Sequence, residues 1–355
     1  MKEFIKNYSL FEIENLMFSE GQPKYRAKQI YRQIYENRKS DFKSMSDIPA
    51  DLKTLLEDKF EFDSLKIAQK SESNDKTVKF LMELSDGKSV ETVLIPGKGK
   101  RYEKTYTLCV SSQVGCSFNC PFCATGKLKY ERNLTPAEII DQYFLAQNTT
   151  SSLITNIVFM GMGEPLANFD NVLKSIRNLT ELKGKVISPA KITVSTIGIV
   201  PKIYQLADEK TGVKLAISLH ATTDTHRSQI VPASAKWNLS MLTEACEYFY
   251  KASKLPITFE YIMFEGINDT LEDCKRLAKI ARKVESKVNL IPFNDISFVK
   301  PKLFAAALKP ASTEKYKIFK ALLEELNIPA FIRSSSGADI AAACGQLAYF
   351  NKLSD

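Results

Sequence analysis

Three cysteines, Cys116, Cys120 and Cys123, form a C-x3-C-x2-C pattern in the segment CSFNCPFC. Thiolates this close can converge on one inorganic centre, and cysteine is the common ligand of iron–sulfur clusters as well as a zinc ligand. A structural zinc site takes four protein ligands and stays closed. No fourth ligand stands at zinc-finger distance, and the two histidines, His220 and His226, lie far along the chain. Three thiolates on a four-iron cube leave one iron open to a small molecule. One 4Fe–4S cluster per chain is therefore expected, with a zinc site as the alternative.

The other cysteines read differently. The total of seven is odd and the spacing uneven, unlike a secreted disulfide framework. Cys246 shares a helical face with Leu239, Leu242 and Phe249, and Cys274 with Leu271, Leu277 and Ala281. Both are expected to pack as small apolar side chains. From their surroundings alone, Cys109 in TLCVSS and Cys344 in AAACGQL also read as packing residues, and Glu91 in SVETV as a solvated hairpin residue.

An alternation of strands and helices must position the cysteine loop. Six strands are expected between about 105 and 334, in TLCVSS (107–112), NIVFMGMG (156–163), KITVSTIG (191–198), KLAISLH (214–220), ITFEYIMF (257–264) and KVNLIPFN (287–294). The segments between them have helical length, and Thr135, Pro136 and Glu138 make a capping box with proline at the first helical position. Near-continuous apolar runs such as NIVF and KLAI suit a parallel sheet covered on both faces. The strands end in polar or glycine-rich residues: Gly163 and Glu164, Ser195, Ser218 and His220, Asn294. In βα barrels that end holds the site. The fold class is α/β, a partial six-unit (β/α) barrel.

Before the barrel comes an α+β accessory domain. Its helices bury a face of Ala27, Ile30, Tyr31, Ile34 and Tyr35, and its hairpin turns at Asp86-Gly87. The segment GKGKRYEK (97–104) marks a boundary, giving an accessory domain 1–97, a core 98–334 and a C-terminal tail 335–355. A chain of 355 residues accommodates about two domains at ~150 residues each. Its 44% hydrophobic and 25% charged residues exclude wholesale disorder. The longest apolar run, Leu303 to Leu308, is too short for a membrane helix. MKEFIKNYSL has no apolar core of a signal peptide, so a cytoplasmic protein without a membrane partner is expected. The net charge of +8 permits a polyanionic partner.

CSFNCPFC resembles the cluster loop of the radical S-adenosylmethionine (SAM) enzymes, and GMGEP (161–165) is similar to their SAM amino-group motif. The stretches LCVSSQVGC, CATGK, RNLTPAEI, FMGMGEPLAN, STIGIVP, AISLHA, VNLIPFN and ACGQL resemble the RlmN-like RNA adenine methyltransferases, from about residue 90 to 347. The N-terminal helices and hairpin resemble that family's accessory domain. The resemblance implies a radical SAM barrel, a 4Fe–4S cluster and two SAM molecules per turnover. It implies methylation of C2 of adenosine in 23S ribosomal RNA, at the peptidyl-transferase region, and in tRNA beside the anticodon, by a monomer with an external electron donor. An adenine ring carbon is electron-poor and has no lone pair, so the cofactor must supply a radical route.

The same resemblance implies roles for single residues. Gly163 and Glu164 would take the SAM amino group. Ser195 and Ser218 would bond the ribose or carboxylate, Leu219 and His220 would add backbone or ring contacts, and Asn294 would contact the adenine side. Cys344 would carry the methyl group as S-methylcysteine. Cys109 would resolve the RNA adduct through a transient disulfide with Cys344, and Glu91 would accept a proton. The runner-up is the Cfr-like branch, which uses the same cysteines on carbon 8 of a ribosomal adenosine. A non-catalytic zinc-binding RNA module is a distant alternative.

Lys24, Arg26, Lys28, Arg32, Arg38, Lys39 and Lys43, interleaved with Tyr25, Tyr31 and Tyr35, could hold phosphates and stack on bases. Lys98, Lys100, Arg101 and Lys104 add to this charge. A solvated basic face with core tyrosines fits the same pattern. Three departures from the family pattern stand out: Lys129 with Tyr130 after the CATGK stretch, Pro232-Ala233-Ser234, and the less basic segment IRSSSGADI. They spare the cofactor and methyl-carrying positions and bear on RNA contacts.

Overall fold

A computed structural model describes residues 2–97, 105–183 and 185–348. Among these, ten strands form one sheet: β1 (Leu65–Glu72), β2 (Val78–Leu84), β3 (Ser89–Pro96), β4 (Thr105–Cys109), β5 (Leu153–Phe159), β6 (Ile192–Thr196), β7 (Lys214–Ser218), β8 (Ile257–Met263), β9 (Ser286–Pro292) and β10 (Ala330–Ile332). Every strand neighbours its successor in sequence. The pairs from β4 to β10 are parallel, and those from β1 to β4 antiparallel. All six expected strands are present. AFIRS, which also reads as a strand after the last helix, is the seventh parallel strand, and the sheet stays open between β10 and β1.

Eleven α-helices accompany it among the described residues: α1 (Leu10–Ser19), α2 (Tyr25–Tyr35), α3 (Ala50–Lys59), α4 (Pro136–Asn148), α5 (Phe169–Thr180), α6 (Val200–Asp208), α7 (Asp224–Ile230), α8 (Leu239–Ser253), α9 (Leu271–Ala281), the one-turn α10 (Phe304–Ala307) and α11 (Thr313–Glu325). α4 opens as its capping box requires. Thr135 Oγ1 accepts the Glu138 N–H at 3.3 Å and the Glu138 carboxylate accepts the Thr135 N–H at 2.8 Å, satisfying two of the N–H groups a helix start leaves over. Helices cover the parallel strands, so β8 is buried along its whole length.

The accessory hairpin is not a separate layer. β3 pairs with β4, Val93 opposite Cys109, so the boundary expected at residue 97 falls inside one sheet. The pairing covers an edge that an isolated hairpin would leave open. The basic residues 98–104 lie outside the described residues.

The N-terminal helices seat on α4 and α5. Lys6 is buried, ion-paired with Asp141 and, at 2.7 Å, with Asp63. Asp141 also accepts the Ser64 N–H and hydroxyl at 2.7 and 2.6 Å. The Tyr31 hydroxyl donates to the Asn178 carbonyl at 2.8 Å. Tyr31 and Tyr35 are buried and stack on each other with ring centroids 4.3 Å apart. They belong to the core and cannot stack on bases, whereas Tyr25 is exposed. Cys246 and Cys274 are fully buried, as packing predicts.

Helix α8 ends on Lys254 in the left-handed region, φ +59°, whose N–H caps the Tyr250 carbonyl at 2.8 Å. Glycine adopts this conformation without the Cβ clash but has more freedom when unfolded. Lys254→Gly is expected to raise the unfolding free energy by about 0.5–1 kcal/mol. The check is the urea midpoint, which should rise at constant m; a lower midpoint would contradict the strain.

Candidate active site at the strand ends

A cavity of roughly 860 Å³, including its open mouth, lies at the C-terminal ends of the parallel strands. Its wall brings together Cys116, Cys120, Cys123, Gly163, Glu164, Ser195, Ser218, His220 and Cys344. Leu219 and Asn294 are not part of that wall.

The cysteine loop leaves β4 and is closed at its base by pairing of Gln113–Val114 with Arg132–Asn133. The sulfur of Cys116 accepts the Phe118 N–H at 3.5 Å. Burial pushes the Cys116 thiol up to about 12 and the Cys120 thiol well above its usual value. Ligation would therefore release protons from these thiols. Among the described residues, no three side chains are drawn together around a single ion. The three thiols instead line one cavity together, and three thiolates are the donor chemistry a 4Fe–4S cube asks for.

Gly163 turns the chain after β5 with φ +94°, and a Cβ there would stand 2.5 Å from the Gln113 Cβ. That closeness matters because Gln113 Oε1 accepts the Glu164 N–H at 2.9 Å. The Glu164 carboxylate is fixed by two backbone donors, Leu166 N–H at 3.0 Å and Ile197 N–H at 2.9 Å. Burial pushes its pKa up to about 7. His220 takes φ +55°; its Nδ1 accepts the Ile262 N–H at 3.1 Å, and its ring meets Phe122 of the cysteine loop edge-on at 4.9 Å. Burial lowers its pKa to about 3, so the ring is neutral.

Two residues expected at a SAM site are engaged elsewhere. The Leu219 N–H donates to the Glu260 carbonyl at 3.0 Å and its own carbonyl accepts from Arg227 Nε at 3.2 Å. Asn294 holds the tail: its Nδ2 donates to the Cys344 carbonyl at 3.0 Å and its Oδ1 accepts from the Ser335 hydroxyl at 2.6 Å.

The tail around Cys344 has no long helix, only one 3-10 turn at Ala338–Ile340. Cys344 is open to solvent and lines the cavity. It also shares a smaller cavity with buried Cys109 at the end of β4, together with Met160 and Arg333. Burial, with the neighbouring Cys344, pushes the Cys109 thiol up to about 12. Glu91 is not solvated. It is 3% exposed and ion-paired with Lys79 at 3.0 Å, while its Oε2 has no hydrogen-bond partner. Lys79 in turn donates to the Ala341 carbonyl of the tail at 3.2 Å. Burial raises the Glu91 carboxyl above its usual range, against the pull of Lys79.

Sequence reasoning missed two charged residues of the same cavity, Glu260 and Arg333. A signal for the first was present: a carboxylate in the middle of the otherwise apolar strand ITFEYIMF, where a buried parallel strand has no place for an idle charge.

The Radical SAM superfamily model matches residues 110–279, and a ribosomal RNA large subunit methyltransferase N-terminal domain matches residues 5–62. The dual-specificity RNA methyltransferase RlmN of Geobacter sulfurreducens is 41% identical over 343 residues, 97% of this chain and 91% of that one. The RlmN of Geotalea uraniireducens is 40% identical over 343 residues, 97% of this chain and 96% of that one. The chain belongs to the RlmN family of radical SAM RNA methyltransferases. The crystal structure of a radical SAM methyltransferase from Sphaerobacter thermophilus superposes with a TM-score of 0.87 at 36% identity, covering 97% of this chain and 99% of that one. Family membership makes the chain a methyltransferase with a 4Fe–4S cluster and SAM as cofactors, and rules out the zinc-module reading. Among the described residues, no helix is long and apolar enough to cross a membrane.

Gly163→Ala is expected to weaken SAM binding to the cluster-loaded enzyme by about tenfold or more, ~1.4 kcal/mol, because the new methyl displaces Gln113. Equilibrium dialysis with labelled SAM measures it, and unchanged affinity would show that the turn tolerates a side chain.

Proposed function

We propose that the enzyme methylates C2 of adenosine in 23S ribosomal RNA and in tRNA beside the anticodon, in the cytoplasm, with Cys344 as the methyl carrier. The observation that carries this reading is the place of Cys344, which lines both the cavity of the cysteine loop and the small cavity of Cys109. Cys116, Cys120 and Cys123 would hold the cluster. Gly163 and Glu164 would take the amino group of SAM and Ser195 and Ser218 its ribose or carboxylate, with His220 as a neutral ring beside them. Leu219 and Asn294 act through the backbone and through the tail. When bound, the cofactors supply a methyl group by displacement and, with the second SAM, the radical that removes a hydrogen atom.

The protein's own groups do the rest. Cys344 Sγ gives up its proton and takes the methyl group. After loss of one hydrogen the methylene carbon bonds to C2 of the base, and the adduct gives up one electron to the oxidised form of the external electron donor. Glu91, buried beside a lysine and lacking a partner at Oε2, accepts the C2 proton. Cys109 Sγ, deprotonated, then bonds to Cys344 Sγ as the Sγ–methylene bond breaks. The electron pair of that bond passes to the methylene carbon, which takes up a proton and leaves as methyl. The disulfide is reset by an external reductant. The basic N-terminal face, with Lys28 and Tyr25 exposed, is our candidate for phosphate contacts.

The first test is anaerobic reconstitution with SAM and a reductant on unmodified ribosomal RNA and tRNA separately, followed by nucleoside separation. 2-Methyladenosine from both is expected; 8-methyladenosine would move the enzyme to the Cfr-like branch. Cys344→Ala is expected to abolish methylation while keeping the cluster absorbance, and an active variant would remove the methyl carrier. Cys109→Ala is expected to accumulate a protein–RNA adduct on denaturing gels, and clean turnover would reject the resolving role.

A further inference from the structure

Three charged side chains line the large cavity besides the cysteine loop: Glu164, Glu260 and Arg333. Glu164 is held by two backbone N–H groups and already has its role toward the SAM amino group in the reading above. Glu260 is different. It sits on β8 opposite Ser218, is 3% exposed, and accepts only from Asn289 Nδ2, at 3.0 Å on Oε1. Its Oε2 is buried with no hydrogen-bond partner. A buried acceptor left unpaired is costly, so the site is incomplete without a donor. Arg333 follows β10, anchored by its backbone N–H on the Leu290 carbonyl at 2.8 Å. Its Nη1 faces the Met160 sulfur at 3.4 Å, a weak acceptor. Arg333 interacts electrostatically with Glu260, Cys344 and Cys109, which puts this acceptor and this donor beside the carrier cysteine.

We propose that Glu260 and Arg333 read the amine-bearing edge of the target adenine, Glu260 Oε2 accepting from the exocyclic N6 amine and Arg333 donating to N1. The inference rests on the adenine-C2 reading above and names the groups that select the base. Adenine presents a donor at N6 beside an acceptor at N1. A carboxylate and a guanidinium offer the complement, in the manner in which extruded bases are read on their pairing edge. The carbon to be methylated adjoins N1. A base held by this edge therefore turns C2 toward the Arg333 side, where Cys344 stands. Hypoxanthine reverses the pattern, with an acceptor at O6 and a donor at N1, and unsubstituted purine lacks the amine. Both keep a hydrogen on C2, so the carbon chemistry stays open to them and only recognition differs.

SAM also carries an adenine, and the experiment separates the two sources. The cluster-loaded enzyme is given RNA fragments identical except at the target position, which holds adenosine, inosine or purine riboside. Wild type is expected to lose ~10- to 100-fold in kcat/KM on both analogues, the usual effect of leaving a buried polar group unpaired. In Glu260→Gln, Asn289 claims the amide oxygen and an NH2 group replaces the free acceptor. This variant is expected to fall ~10- to 100-fold on adenosine and to hold or gain on inosine, with SAM affinity by equilibrium dialysis unchanged. Equal wild-type rates on the three bases would overturn the proposal without any variant. So would a Glu260→Gln enzyme that loses SAM affinity while keeping the wild-type order of bases, since the carboxylate would then serve the cofactor. A wild type that forms no 2-methyladenosine on the adenosine fragment would refute the underlying reading instead.

Discussion

One backbone hydrogen bond sets the geometry of this site: the Ala124 N–H of the cysteine loop donates to the Gly345 carbonyl of the tail at 2.7 Å. The tail beyond β10 has almost no regular structure of its own, so its backbone groups must find partners elsewhere. They find them on three sides. The cysteine loop adds Thr125 Oγ1 to the Leu347 carbonyl at 2.6 Å. The loop after β9 holds Cys344 through Asn294 and Gln346 Nε2 through the Asp295 carbonyl at 2.7 Å. The accessory hairpin takes Asp339 on the Ser73 hydroxyl at 2.5 Å and Gly337 N–H on Asp75 at 3.2 Å. A chain tied at so many points cannot move its cysteine far from the three thiols. Gly345 itself runs at φ +83°, and a Cβ there would stand 3.2 Å from the Phe122 carbonyl.

The continuity of the sheet follows from the same need. The hairpin anchors the tail and carries Glu91 and Lys79, so its position relative to the barrel must be fixed within a hydrogen-bond length. Pairing β3 to β4 does this through the backbone. The buried Lys6–Asp141 pair and its Ser64 donors do it from the other side of α4. A buried ion pair adds little net stability, but an uncompensated Asp141 would be costly, so only one seating of the N-terminal segment satisfies it.

What the sequence disclosed was local. The strands, the Thr135 capping box and the cysteine loop are written in short windows, and the structure holds each of them. The features it concealed depend on partners far along the chain. Glu91 looks like a hairpin surface residue until the tail covers it. Tyr31 and Tyr35, by contrast, read as core from their helical spacing and are buried. Asn294 stands at a strand end like Ser195 and Ser218, but the tail claims both ends of its amide. Cys344 sits among alanines that suggest a helix, yet Gly337, Ala341 and Gly345 all take positive φ, and a helix cannot pass through them.

The electrostatics of Cys109 and Cys344 bear on the order of events in the proposed cycle. Cys109 and Cys344 share a cavity, so a thiolate at either could attack an oxidised partner at the wrong moment. Burial is the largest influence on Cys109 and favours its protonated form. A thiol near 12 at Cys109 is almost wholly protonated at neutral pH, hence inert as a nucleophile. Arg333 favours the thiolate at both sulfurs, and Glu260 competes for the same cation. A base that donates to Glu260 and accepts from one Arg333 N–H would lessen that competition without neutralising the guanidinium, whose charge would then favour thiolate. Base recognition and thiol activation would then share one cation, which ties release of the product to the presence of the correct base.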